Sequence, residues 1–274
     1  MTIIIPIITV TGIGLLCAVM LSVASSVMEV KVDERVEQVR ACLPGANCGA
    51  CGYTGCDGYA AAVVEKGAKT NLCVPGAASA AAAVAEVMGV AAEGVVKQVA
   101  IVSCRGDCEH TNKKYHYQGI DSCKGAKMMF GGDGACIYGC FGRGDCAEVC
   151  PNGAISITDG VAAIDPTICT GCGLCAKTCP NQVIKVLEAS SQVAVLCNNR
   201  EPGVGARKAC SNACIACRKC ERECPEGAIT VRNNLAAIQY SKCIGCGECA
   251  AGCPTGAVQL RKLSALCCPQ QGTR

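Results

Sequence analysis

One cysteine run constrains this chain more than any other feature. Residues 169–180 are CTGCGLCAKTCP and residues 243–254 are CIGCGECAAGCP, so both follow the pattern C-x2-C-x2-C-x3-C-P. Thiolates at this spacing bind cubane iron–sulfur clusters. The second run begins 74 residues after the first, which indicates that one structural module is repeated.

The high cysteine content limits what can hold this fold together. There are 29 cysteines among 274 residues, whereas aromatic residues make up 3% and tryptophan is absent. Disulfides and metal are the two candidates, and the C-x2-C spacing favours metal in a reducing compartment. Zinc is the rival metal, since C-x2-C pairs also make four-cysteine zinc sites. The third cysteine of each run and its C-P ending favour iron–sulfur clusters over zinc.

Charge and histidine content exclude further classes of function. The formal charge is +3 when the cysteines are counted as neutral. Five oxidised cubanes, each adding roughly −2, would bring the holoprotein to about −7. We therefore expect no nucleic acid partner. The two histidines, His110 and His116, are too few and in the wrong context for a Rieske centre.

Residues 1–28 are predicted to form a single transmembrane anchor. No side chain from residue 3 to residue 28 is charged, and about 20 apolar residues span a bilayer as a helix. A cleaved signal peptide would need a basic first region, and a lipoprotein site at Cys17 would need a small residue in place of Leu16. A buried helix of a soluble domain is the third alternative.

The charges after the apolar stretch predict its orientation. Lys31, Arg35 and Arg40 follow it, and no lysine or arginine precedes it. Because cytoplasmic flanks carry the excess of basic residues, the rest of the chain is expected on the cytoplasmic side of the inner membrane.

Residues 29–76 are predicted to form a module that binds one [4Fe-4S] cluster. The candidate ligands have the spacing C-x2-C-x4-C-x16-C and are Cys48, Cys51, Cys56 and Cys73. Glycines between them let the backbone wrap around the sulfurs and turn its N–H groups toward a negatively charged cluster. Residues 77–122 follow as an alanine-rich helical and connecting region.

The C-terminal half is predicted to contain two tandem ferredoxin modules, residues 123–191 and residues 192–264, followed by a tail of residues 265–274. The repeat aligns eight cysteines of each module without a gap: Cys136, Cys140, Cys146, Cys150, Cys169, Cys172, Cys175 and Cys179 with Cys210, Cys214, Cys220, Cys224, Cys243, Cys246, Cys249 and Cys253. The stretches AISITDGVAAID and AITVRNNLAAIQ alternate as hairpin strands do, and short helices after the cysteine loops would complete an α+β fold.

Within each module, the fourth cysteine of a run is expected to bind the cluster of the other run. Three sets follow from this rule: Cys150 with Cys169, Cys172 and Cys175; Cys224 with Cys243, Cys246 and Cys249; and Cys253 with Cys214, Cys217 and Cys220. The first module departs from the pattern, because Arg143 stands where the second module has Cys217. Its other set is expected to be Cys136, Cys140, Cys146 and Cys179.

Several cysteines have no place in these five sets. The sequence assigns no role to Cys104, Cys108, Cys123, Cys197 and Cys210. The first three lie in a stretch without a recognisable motif, so they either contribute to a further cluster or bind nothing. At least five [4Fe-4S] clusters and up to six are therefore expected.

The order of these features resembles the RnfB/RsxB family, which are subunits of the Rnf-type ion-translocating ferredoxin:NAD oxidoreductase complex. The resemblance rests on the apolar N terminus, the segment LPGANCGACGYTGC and the later cysteine runs, and it covers nearly the whole chain. It implies an electron-transfer subunit that takes electrons from reduced soluble ferredoxin. The electrons would pass toward other membrane subunits, which reduce NAD while Na⁺ or H⁺ is moved.

No residue of this chain is expected to act as a catalytic acid, base or nucleophile. The pair Gly12 and Gly14 lies within the apolar stretch and is not followed by a βαβ unit, so no nucleotide site is predicted. Two other functions are compatible with the cysteines. One is a membrane-tethered polyferredoxin that reduces a redox regulator or a maturing enzyme. The other is a polyferredoxin subunit of a hydrogenase or heterodisulfide reductase, which the LPGANCGACG segment disfavours.

Overall fold

The computed structural model describes residues 4–27 and 33–261, except for the side chains at 5, 6, 8, 9, 26 and 27. Lys31 and the predicted tail of residues 265–274 lie outside the described residues. The described part is a mixed α/β chain with one long N-terminal helix, a helical module and two similar units. Its strands pair into four small antiparallel sheets of two strands each.

Helix α1 (Ile4–Val27) contains 24 residues. All of its described side chains are exposed, and Val10 and Leu21 are each 71% exposed. Over the residues that the structure describes, no helix is both long and apolar enough to cross a membrane.

A helical module follows and consists of α2 (Glu34–Ala41), α3 (Cys56–Lys66) and α4 (Ala77–Met88). The Asp33 side chain caps α2 by accepting a hydrogen bond from Arg35 N at 3.0 Å. Helices α3 and α4 end at Gly67 and Gly89, whose left-handed conformation glycine adopts without a Cβ clash. The helices pack around buried apolar side chains that include Val39, Tyr59, Val63 and Val84.

The first unit (residues 98–188) contains β1 (Gln98–Val102), α5 (Cys123–Met128), α6 (Asp145–Glu148), β2 (Ile155–Thr158), β3 (Val161–Ile164), α7 (Leu174–Thr178) and β4 (Ile184–Glu188). Strand β2 pairs with β3, as the alternating sequence predicts. Strand β1 contains the β-like segment VAIV of the predicted connecting region, and it pairs with β4.

The second unit (residues 193–261) contains β5 (Val193–Val195), α8 (Gly203–Ala209), α9 (Lys219–Glu223), β6 (Ile229–Arg232), β7 (Leu235–Ile238), α10 (Glu248–Ala251) and β8 (Val258–Leu260). Strands β6 and β7 form a hairpin, and β5 pairs with β8. Ile229 pairs with Ile238 here as Ile155 pairs with Ile164 in the first unit. The 74-residue repeat of the sequence is therefore a repeat in space.

Side-chain hydrogen bonds join the three parts. Lys177 Nζ of the first unit donates to Cys48 O of the helical module at 2.7 Å. Arg105 Nη1 donates to Gly256 O at 3.3 Å, and Asn198 Nδ2 donates to Asn181 O at 2.9 Å. The first unit thus contacts both of its neighbours.

Candidate iron–sulfur sites

The first candidate site lies at the start of α3 and contains four cysteines, Cys48, Cys51, Cys56 and Cys73. Burial raises the pKa of the Cys73 thiol, and the three nearby thiols raise it further. The preceding loop is fixed by Cys56 N, which donates to Asn47 Oδ1 at 2.8 Å. In that loop Gly49 and Gly52 have φ of 65° and 88°, where a side chain would add strain. The structure brings together all four cysteines that the sequence predicts for this module.

The second unit contains two candidate sites, each built from both of its cysteine runs. One consists of Cys214, Cys217, Cys220 and Cys253, and the other of Cys224, Cys243, Cys246 and Cys249. Burial raises the pKa of Cys220 to about 11, and the three other thiols of its set raise it further. Burial and the three neighbouring thiols likewise raise the pKa of Cys249. Since Cys220 lies on α9 and Cys249 on α10, packing of these two short helices brings the runs together.

The first unit repeats one of these sites with Cys150, Cys169, Cys172 and Cys175. Burial raises the pKa of Cys175 to about 11, and the other three thiols are its neighbours. Strand β1 contributes as well, because Ala100 N donates to Cys169 Sγ at 3.5 Å. The structure therefore brings together the four cysteines that the sequence predicts for this site.

The last first-unit set differs from the sequence prediction. Burial raises the pKa of Cys146 to about 12, and the nearest thiols include those of Cys140, Cys123 and Cys179. These four cysteines line one cavity of about 20 Å³. Cys136, which the sequence assigns to this set, lies beside Cys197 and Cys210 instead. The structure places Cys123, and not Cys136, in one cavity with Cys140, Cys146 and Cys179. The ligand set itself stays a prediction.

Asp145 holds Cys123 in this position. Its carboxylate accepts hydrogen bonds from Cys123 N at 2.8 Å, Lys124 N at 3.1 Å and Ser122 Oγ at 2.9 Å. Burial alone would raise the pKa of Asp145, but these hydrogen bonds hold it below its usual value. Because Cys146 follows Asp145 directly in the chain, the same carboxylate fixes the start of α5 beside α6.

Arg143 leaves the first-unit cysteine run with one thiol fewer than the run of the second unit. It occupies the position of Cys217 in the repeat and forms ion pairs with Asp121 at 2.8 Å and Asp133 at 3.3 Å. The centre of its guanidinium lies 4.2 Å from the centroid of the Tyr117 ring. Asp133 is only 5% exposed, and Arg143 compensates this buried carboxylate together with Lys113, whose Nζ lies 3.5 Å from it.

The donor chemistry of the five sets fits iron–sulfur clusters. Each set offers four thiols, the ligand number of a [4Fe-4S] cluster. In the second unit the thiols line cavities of about 20 Å³ around Cys220 and about 10 Å³ around Cys249. Among the described residues, no group of three or more His, Cys, Asp or Glu converges on a single metal ion, whereas a cubane cluster takes its four thiolates on four separate irons. The thiols with raised pKa values must release protons when they bind metal.

Backbone N–H groups point at ligand sulfurs in equivalent places of the two units. Ala154 N lies 3.3 Å from Cys150 Sγ, and Ala228 N lies 3.3 Å from Cys224 Sγ. Hydrogen bonds of this kind stabilise negative charge on sulfur and help to set the reduction potential of a bound cluster. The repeat therefore preserves the surroundings of the sulfurs as well as the cysteines.

Comparison with known families identifies the same modules. Residues 43–75 match a family described as a putative Fe-S cluster domain, and residues 135–183 and 213–257 match the 4Fe-4S dicluster domain. The chain is thus an iron–sulfur protein with one N-terminal Fe-S domain and two dicluster domains.

Curated relatives cover most of the chain. The B-type subunit of the Na(+)-translocating ferredoxin:NAD(+) oxidoreductase complex of Acetobacterium woodii is 44% identical over 230 residues, 84% of this chain and 69% of the relative. The B-type subunit of the ion-translocating oxidoreductase complex of Methanosarcina acetivorans is 41% identical over 84% of this chain and 88% of its own. The B-type subunit of the proton-translocating ferredoxin:NAD(+) oxidoreductase complex of Clostridium ljungdahlii is 42% identical, with coverages of 88% and 85%.

These identities, over more than two thirds of each relative, establish the family. The chain belongs to the RnfB family, the iron–sulfur subunits of ion-translocating ferredoxin:NAD oxidoreductase complexes, which are membrane-bound and contain several subunits. The resemblance predicted from the sequence is confirmed.

Proposed function

We propose that this chain relays electrons from reduced soluble ferredoxin through at least five [4Fe-4S] clusters toward the other Rnf subunits, which reduce NAD while Na⁺ or H⁺ is moved. The observation that carries this proposal is the pairing of two four-thiol sites inside each repeated unit. One cluster in each small unit would be enough to stabilise its fold. Two adjacent sites in each of two tandem α+β ferredoxin modules are what a relay requires.

The proposed ligands form five sets of four thiolates. They are Cys48, Cys51, Cys56 and Cys73; Cys150, Cys169, Cys172 and Cys175; Cys123, Cys140, Cys146 and Cys179; Cys214, Cys217, Cys220 and Cys253; and Cys224, Cys243, Cys246 and Cys249. The fifth cysteine near Cys146 is Cys175, a member of the other first-unit set. Two clusters of the first unit would therefore be close neighbours.

When bound, the clusters supply one-electron transfer, and the protein has no covalent step to perform. Its residues hold the sulfurs, donate N–H hydrogen bonds to them and limit the access of water. Cys146, Cys175, Cys220 and Cys249 are all buried. Burial and N–H donors act in opposite directions on a negatively charged cluster, so their balance sets each potential.

A direct contact supports transfer between the helical module and the first unit. Lys177 Nζ donates to the carbonyl of Cys48 at 2.7 Å. Lys177 lies on α7 together with Cys175, so one side chain ties a loop of the first site to the helix that carries a ligand of the next. The ammonium also adds positive charge beside two sites that are negatively charged when loaded.

We also infer that residues 1–28 anchor the chain by a single transmembrane helix with the clusters on the cytoplasmic side. The uncharged sequence and the exposed apolar side chains of α1 support this inference. The chain without residues 1–28, produced in the absence of other Rnf subunits, should move from the membrane to the soluble fraction with its iron retained. A shortened chain that still sediments with membranes would contradict the anchor.

Direct reduction tests the relay. Full-length protein, purified anaerobically in detergent, should be bleached in the visible range by reduced ferredoxin, because oxidised cubane clusters absorb there and accept electrons. The Cys249→Ala variant should accept fewer electrons, since one cluster is lost. If ferredoxin does not reduce the protein while a redox regulator exchanges electrons with it, the chain is a membrane-tethered polyferredoxin of another pathway.

A further inference from the structure

Four cysteines outside the five sets meet at the contact between the first and second units. They are Cys104, Cys136, Cys197 and Cys210, and all four line one cavity of about 40 Å³. Three of the five sets line cavities of about 10 Å³ and about 20 Å³. The Cys197 and Cys210 thiols are close enough to Cys136 to raise its pKa, and Cys136 in turn raises the pKa of Cys104. We call this group the seam site.

The sulfurs of the seam site accept N–H hydrogen bonds like those at the motif sites. Asn199 donates from its backbone N to Cys197 Sγ and from its side-chain Nδ2 to Cys136 Sγ, each at 3.4 Å. Gly106 N lies 3.4 Å from Cys104 Sγ. At the motif sites the corresponding bonds are 3.3 Å, at Cys150 and Cys224. Buried donors aimed at two different sulfurs indicate a site built for thiolates.

Two glycines keep the space between these sulfurs clear. A Cβ on Gly106 would lie 3.4 Å from Cys210 Sγ and 3.7 Å from Cys104 Sγ. A Cβ on Gly139 would lie 3.7 Å from Cys104 Sγ. Any side chain longer than a methyl at either position would enter the cavity where a metal centre would sit.

The repeat explains why these thiols are available. Cys136 and Cys210 occupy equivalent positions of the two units, and so do Cys123 and Cys197. In the first unit Arg143 replaces a ligand, so Cys123 is used in the set around Cys146. The second unit has Cys217 at that position, so Cys197 is not needed there and belongs to the seam site instead.

We propose that Cys104, Cys136, Cys197 and Cys210 bind a further iron–sulfur cluster of the [4Fe-4S] type. This inference rests on the proposed function and adds to it a bridge between the two units. Cys140 N donates to Cys104 Sγ at 3.3 Å, and Cys214 N donates to Cys197 Sγ at 3.3 Å. Cys140 and Cys214 are ligands of the neighbouring first-unit and second-unit sites, so the seam site lies between them.

Iron and acid-labile sulfide per chain test this proposal on anaerobically purified, full-length protein in detergent. The wild type should contain about 24 of each and the Cys104→Ala/Cys197→Ala double variant about 20. The matched control is Cys108→Ala, because Cys108 is exposed and lies outside all six sets; it should keep the wild-type value. About 20 in both the wild type and the double variant would overturn the seam cluster and leave the other five intact. A wild type well below about 20, or one that contains zinc, would overturn the five-cluster relay itself.

A second variant decides the question if the double variant does not fold. Asn199→Ala removes the side-chain donor to Cys136 without removing a thiol. It should keep the wild-type iron content and shift one redox component to lower potential, because a stabilising hydrogen bond to the reduced cluster is lost. The control is Asn212→Ala, since Asn212 Nδ2 donates to Arg105 O and not to a sulfur. Unchanged potentials for every component of Asn199→Ala would overturn the proposal.

Discussion

The first and second units follow one plan but assemble their metal sites differently. In the second unit a single run supplies Cys214, Cys217 and Cys220 to one site. In the first unit Arg143 stands in the middle of that run and pairs with Asp133. We propose that the fourth thiol of this first-unit site comes from Cys123, which is 20 residues earlier in the chain than Arg143.

This difference teaches that the spacing of a cysteine run does not by itself determine a ligand set. The set also depends on the side chains that fix the neighbouring loops. Asp145 positions Cys123 in the first unit, whereas the repeat has Lys219 at the equivalent place. The difference between Arg143 and Cys217 is therefore accompanied by different neighbours for the equivalent cysteines Cys123 and Cys197.

The largest expected effect comes from restoring the lost cysteine. Cys123→Ala should remove about four irons per chain in the otherwise unchanged protein, because a cubane loses one of its four thiolates. In an Arg143→Cys background the run matches that of the second unit, so Cys123→Ala should remove no iron. Iron analysis of the four proteins measures the difference. Equal losses in both backgrounds would show that the first unit does not use Cys123 in this way.

A smaller effect, on stability, is expected when a buried isoleucine in the apolar core of either hairpin is truncated to alanine. Ile229 is 1% exposed and its counterpart Ile155 is 9% exposed. Ile229→Ala should therefore cost about 2–5 kcal/mol of stability, and Ile155→Ala should cost less. Thermal loss of cluster absorbance, recorded anaerobically, ranks the two variants. A more damaging Ile155→Ala would contradict the assignment of the better-packed hairpin to the second unit.

Asp145 and Lys219 offer a matched pair with a weaker effect. Asp145→Ala removes the acceptor of three hydrogen bonds at the start of α5, which should cost about 1–3 kcal/mol. Iron should leave this variant faster when a strong chelator is added. Lys219→Ala is the control, because the Lys219 side chain is half-exposed and its ion pair with Glu223 is a surface pair at 3.6 Å. Equal rates of iron release from the two variants would show that Asp145 does not hold Cys123 in position.

The smallest predicted effect is the pH dependence that Tyr240 adds to the stability of the second unit. Burial raises the pKa of Tyr240 from 10.0 to about 12, and the first unit has Pro166 at that position. The protonated phenol therefore contributes stability that is complete below pH 10 and is lost as the pH rises through 12. Melting temperatures across this range should fall more for the wild type than for Tyr240→Phe. Parallel curves would show that Tyr240 is not the group responsible.

The sequence predicted the local parts of these sites well. Cysteines separated by two residues in a loop lie close together in almost any fold, and the crossed use of the fourth cysteine is a property of the ferredoxin pattern. The hairpins at residues 155–164 and 229–238 were visible from their alternation. The family was evident from the order of the apolar N terminus, the first cysteine segment and the repeated runs.

The parts that the sequence did not predict depend on contacts between distant segments. Strand β1 pairs with β4 across more than eighty residues, and Cys104 follows β1 into the contact between the units. Nothing in the stretch around Cys104 or Cys123 has a recognisable spacing, so their partners depend on tertiary packing alone. The 74-residue shift did contain one signal, because it places Cys123 on Cys197 and Arg143 on Cys217.

The most direct test of the relay is the metal content of the wild-type chain. Iron, acid-labile sulfide and zinc should be measured on anaerobically purified full-length protein. We expect about 24 iron and 24 sulfide per chain and no zinc, from six four-thiolate sites. Zinc in place of iron, or iron without an equal amount of sulfide, would contradict the claim that these cysteines hold electron-carrying clusters.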